Sequence, residues 1–85
     1  MPEISRYYGL IIRLFHNEYN PLHFHVEYND YSAGIRINDL SLMAGELPLK
    51  AIALAIEWAV IHKDELLKDY TSSIYGEIFK IEPLK

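Results

Sequence analysis

The 85-residue chain holds one domain with one core, and a 51% hydrophobic fraction is enough to fill it. It has no cysteine, which excludes a disulfide-stapled scaffold and a thiol nucleophile and favours a reducing compartment. The formal net charge of −4 argues against non-specific binding to duplex DNA, which needs a basic field.

The opening MPEISRYYG lacks the basic start and apolar run of a secretion signal. The longest apolar stretch, Ala51 to Ile61, is interrupted by Glu57 and is too short to cross a bilayer. A cytoplasmic protein with no membrane partner is the expectation. No internal repeat or low-complexity segment is visible.

Tyr7 to Phe15 reads as the first strand, with Tyr8, Leu10, Ile12 and Leu14 on one face by the two-residue period. Its other face is also largely apolar, which suits a central strand or one that meets a partner. HNEYNPL, from His16 to Leu22, reads as a loop with an Asn20-Pro21 turn. His23–Tyr28 and Tyr31–Ile37 follow as two strands joined at Asn29-Asp30. That turn sets Tyr28 against Tyr31, Val26 against Ala33 and Phe24 against Ile35 on an apolar face. The opposite face then pairs Glu27 with Ser32, His25 with Gly34 and His23 with Arg36. A slip of one residue would invert both faces.

Ser41 to Ala44 can add a short fourth strand before Gly45. Pro48 suits the first turn of a helix that runs to about Tyr70. Leu49, Ile52, Ile56, Ala59, Val60, Leu67 and Tyr70 recur at helical spacing and are expected to cover the apolar sheet face. Leu54, Trp58 and Ile61 form a second stripe on the opposite side, rimmed by Glu57, Asp64, Glu65 and Lys68. Such a stripe is a candidate partner interface or a seat for the chain's own tail. His62, one turn on, reads as a packing neighbour. Thr71-Ser72-Ser73 ends the helix, and an extended tail to Leu84 is expected to dock through Ile78, Phe79 and Ile81. The expected fold is therefore α+β, a three- or four-stranded antiparallel sheet on one long helix.

The segment NPLHFHVE is the strongest local signal for chemistry. His23 and His25, two apart on a strand, share a side. That spacing suits a metal held between imidazoles or an acid and a base beside a phosphate. It equally suits two surface histidines packed across strands. A metal site needs further ligands, for which Glu27, His16 and Glu18 are the nearest residues. Arg13 and Arg36 are expected on the same face, making a local basic patch able to receive a phosphate or a partner's carboxylates. The bland alternative pairs them with Glu27 or Asp39 in solvent. There is no Gly-rich phosphate loop, zinc-finger spacing or nucleophile motif.

With PEISRYYGLIIR, NPLHFHVEY and ALAIEWAVIHKDELL, the chain resembles, over nearly its whole length, a small bacterial family catalogued as a domain of unknown function, number four-one-six-zero. The resemblance implies products of short two-gene operons, beside another small domain of unknown function, in an arrangement like that of toxin–antitoxin modules. The family pattern commonly has an acidic residue and a histidine before the prolines that precede H-F-H. Here those positions are Glu18 and Tyr19, and Leu22 replaces a proline, so a third histidine is missing. No metal and no cofactor are expected.

The leading expectation is a non-enzymatic accessory protein that binds a protein partner or a second copy, within a toxin–antitoxin-like module. His23, His25, Arg13 and Arg36, or Leu54, Trp58 and Ile61, would form the contact. The runner-up is a small ribonuclease-like or metal-assisted hydrolase using His23 and His25, with RNA as its partner. A third reading is an acidic inhibitor or adaptor that meets a basic protein.

Overall fold

The computed structural model describes residues 3–14, 22–73 and 75–84. Five strands, β1 (Glu3–Tyr7), β2 (Leu10–Arg13), β3 (His23–Tyr28), β4 (Tyr31–Arg36) and β5 (Leu42–Glu46), form one sheet in chain order. Every neighbouring pair is antiparallel. Two helices, α1 (Leu49–Ile61) and α2 (Lys63–Ser73), follow. The α+β reading holds, with five strands rather than three or four and two helices rather than one among the described residues.

The first difference lies in the expected strand Tyr7–Phe15. Tyr8 and Gly9 have φ of 48° and 84°. Two left-handed central residues make the tight turn whose twist matches that of a hairpin. Tyr7 pairs with Leu10 across it, so both side chains share the core face. In a continuous strand they would point oppositely. Tyr8, expected to share a face with Leu10, Ile12 and Leu14, is instead 57% exposed. Leu10, Ile12 and Leu14 share a face as expected and are fully buried, and β2 lies inside the sheet between β1 and β3. The end of that expected strand at Phe15 and the loop features at His16, Glu18, Tyr19 and Asn20-Pro21 lie outside the described residues.

The β3–β4 hairpin has the expected register at every position, from His23 opposite Arg36 to Tyr28 opposite Tyr31. Asn29 takes the positive φ, 54°, that the first position of such a turn requires. The fourth expected strand runs from Leu42 to Glu46, later than Ser41–Ala44, with a bulge between its pairings to Gly34 and Ile35. Gly45 lets it pass close to β4. Its φ is 83°, and a Cβ there would strike the Ser32 carbonyl and lie 2.9 Å from the Ala33 Cα.

The helical stretch breaks at His62, whose φ and ψ are −109° and 22°. Hydrogen bonding continues across the break, from His62 N–H to the Trp58 carbonyl and from Leu66 N–H to the His62 carbonyl. The larger correction concerns which side of α1 meets the sheet. Ala51, Ala55, Trp58 and Ala59 are buried, whereas Leu49 is 85% and Val60 63% exposed. Three alanines four residues apart line the buried side of the helix, and Trp58 supplies its bulk. Trp58, expected on the spare stripe, is therefore a core residue. Its ring stacks on Tyr7 at 6.1 Å and meets Phe24 edge-on at 5.9 Å. The Tyr7 hydroxyl donates to the Leu54 carbonyl at 3.1 Å.

The tail docks. Ile81 is buried, and its N–H donates to the Ile4 carbonyl at 2.7 Å, which ties the tail to β1. Trp58 Nε1 donates to the Glu82 carbonyl at 2.8 Å. Phe79 N–H donates to Asp69 Oδ1 at 2.6 Å, though the Phe79 ring is exposed. Asp69 is itself buried, and desolvation raises its pKa against the lowering effect of the Phe79 N–H. No helix among the described residues is long and apolar enough to cross a membrane.

Candidate functional site

The helices and the tail pack on the face of the sheet that carries Leu10, Ile12, Phe24, Val26 and Ile35. By strand alternation the other face carries Arg6, Ile11, Arg13, His23, His25, Glu27 and Arg36. His25 lies opposite Arg13 on β2 and Gly34 on β4, and His23 lies opposite Arg36. The four residues predicted from sequence thus share one patch across three adjacent strands, and all four are half-buried.

The two imidazoles lie 5.2 Å apart between ring centres, tilted by 55°. Burial depresses the pKa of His25 below the ordinary histidine value. The neighbouring His23 adds to that depression and Glu27 opposes it. The lowered pKa favours the neutral imidazole near neutral pH. Gly34, beside His25, contributes no side chain, and the His23 ring covers it: a Cβ there would lie 3.6 Å from His23 Cδ2.

Both arginines have intramolecular carboxylate partners. Arg13 Nε donates to Glu27 Oε2 at 3.0 Å. Arg36 Nη1 lies 3.6 Å from Asp39 Oδ2, with both side chains substantially exposed. Asp39 is also an acceptor for the hydroxyl and N–H of Ser41, and these bonds, the hydroxyl first, lower its pKa. The Arg36–Asp39 pair lies in solvent and is weak, so an incoming carboxylate or phosphate can replace it at little cost. Among the described residues, no three His, Asp or Glu side chains gather as a metal-ligand set. His16 and Glu18 lie outside those residues.

The second candidate set does not form one surface. Trp58 lies in the core, Leu54 is half-buried against it, and Ile61 is 62% exposed. His62 is the expected packing neighbour, 5.4 Å from the Trp58 ring, with Nδ1 2.6 Å from Glu65 Oε1. Leu49 and Val60, which sequence spacing assigned to the core, are exposed as well. The signal that could have corrected this is the row Ala51, Ala55, Ala59, with Trp58 beside it, since all four are buried.

The model of a domain of unknown function, DUF4160, matches residues 9–71, well over half the chain. The chain belongs to this family. The matched stretch contains the His23–His25 strand, its hairpin partner and α1, whereas β1 and the docked tail lie outside it. No curated protein and no solved structure matches the chain.

Proposed function

We propose that the chain is a non-enzymatic accessory protein that binds a protein partner across the His–Arg face of its sheet, as one component of a toxin–antitoxin-like two-gene module in bacteria. The observation that supports this reading is the patch itself. His23, His25, Arg13 and Arg36 stand together on the face opposite the helices, held by backbone register rather than by flexible loops. The patch spans three adjacent strands, which suits a protein surface. Its arginines sit in weak ion pairs with Glu27 and Asp39, ready to be exchanged for a partner's carboxylates.

The test is co-expression with the small protein encoded beside it. Wild-type chain should retain that protein through purification, and Arg13→Glu with Arg36→Glu should release it while circular dichroism stays unchanged. A folded wild-type chain that forms no complex, or a complex indifferent to both substitutions, would sink the proposal.

The 5.2 Å histidine pair favours one second reading, a ribonuclease-like hydrolase in which neutral His25 acts as base and His23 as acid. Wild-type protein that cleaves RNA, and loses cleavage as a folded His23→Ala, His25→Ala variant, would establish it in place of the binding reading.

A further inference from the structure

Leu49, Ala53, Ile56 and Val60 are spaced by four, three and four residues along α1, the spacing of a coiled-coil seam. At 100° per residue the four directions fall within a narrow sector on the side away from buried Ala55 and Trp58. Leu49 and Val60 at the two ends are largely exposed, Ala53 is exposed and Ile56 half-buried. Lys50 and Glu57 run along one flank of this seam, seven residues apart and both exposed. The other flank carries Ile52 and Ala59, without charge.

We propose that this seam pairs with the same seam of a second copy, the two α1 helices antiparallel about a two-fold axis. The charges decide both occupant and direction. In an antiparallel pair like flanks face each other, so Lys50 of each copy lies along the flank that bears Glu57 of the other. In a parallel pair unlike flanks face each other, and Lys50 and Glu57 meet only Ile52 and Ala59. The antiparallel arrangement also layers the seam well. Leu49 sits opposite the partner's Val60, and Ala53 opposite the partner's Ile56, so each layer joins a larger and a smaller side chain. In that register the partner's Glu57 lies two residues, about 3 Å along the axis, from the point opposite Lys50. The symmetry repeats this contact, so one surface supplies both halves of the interface. It lies on the far side of α1 from the sheet, which leaves the His–Arg face open in the dimer.

Sedimentation equilibrium on the full chain tests this. Wild type should dimerise, and Val60→Glu should leave only monomer with its circular dichroism spectrum intact. Lys50→Glu should weaken the dimer at least about fivefold, since the symmetric contact is lost twice. The charge swap Lys50→Glu with Glu57→Lys should restore it, which a purely structural effect of either substitution would not do. A wild-type monomer at several hundred micromolar overturns the proposal. So does a dimer insensitive to Val60→Glu, or one abolished by Arg13→Glu and Arg36→Glu instead. Should Val60→Glu misfold, the charge swap alone decides. A double variant no tighter than the singles refutes the antiparallel pairing.

Discussion

Replacing Trp58 by Phe measures how the core and the tail are joined. Phe keeps an aromatic ring between Tyr7 and Phe24 but has no donor for the Glu82 carbonyl, which accepts from Nε1 at 2.8 Å. Loss of a hydrogen bond of this kind costs about 1 kcal/mol. The missing part of the indole leaves a void in a fully buried site, worth a further ~1–2 kcal/mol. The sum, about 2–3 kcal/mol, is large against a total stability of roughly 4–13 kcal/mol for a domain of this length. In urea it should lower the midpoint by roughly 1–2 M, followed by circular dichroism because the only tryptophan is gone. Ile61→Ser supplies the contrast. Ile61 shares a helical stripe with Trp58 in the sequence but is mostly exposed, so its loss should stay within about 0.5 kcal/mol. Trp58→Glu, which places a carboxylate in the same buried site, should unfold the chain rather than merely separate copies. If Trp58→Phe costs no more than Ile61→Ser, or if wild-type Trp58 fluorescence is solvent-like, the assignment of Trp58 to the core is wrong.

Two further outcomes follow from buried titratable groups. His25 should titrate below the ordinary histidine range in a proton NMR series, and His23→Ala should raise its midpoint by removing a neighbouring positive charge. Because the folded pKa is depressed, the contribution of His25 to stability is complete above its unfolded pKa and is lost as pH falls through the folded value. An ordinary midpoint, unmoved by His23→Ala, would mean that the two rings do not share the patch. Asp69 has the opposite sign. Its folded pKa is raised, so its contribution is complete below the unfolded value and is lost as pH rises through the folded one. Asp69→Asn keeps an acceptor for the Phe79 N–H and removes the buried charge. It should therefore flatten the pH dependence of urea stability on the acidic side. An unchanged profile would show that the carboxylate is hydrated.

What the sequence determined by itself was local or periodic. Asn29-Asp30 sits at a turn that two strands must share, so one assignment carried the pairing of His23 with Arg36 and of His25 with Gly34. The two-residue period then placed Arg13 and Arg36 with the histidines, because alternation along a strand leaves no other choice of face. The tail's apolar residues pointed to docking, and Ile81 does dock. What tertiary structure decided were choices between options that local chemistry leaves nearly equal. Tyr8-Gly9 lies inside a run that is apolar on both sides, so nothing in the alternation distinguishes one long strand from a hairpin. The turn is chosen because folding back brings Tyr7 onto the same face as Leu10 and against Trp58. On α1 two stripes compete, and the bulkier set, Leu49, Ile56 and Val60, appeared the better core. The sheet met the other side, where Ala51, Ala55 and Ala59 are buried with a single Trp that supplies the bulk. That preference depends on the shape of the opposing surface, which no helical period contains.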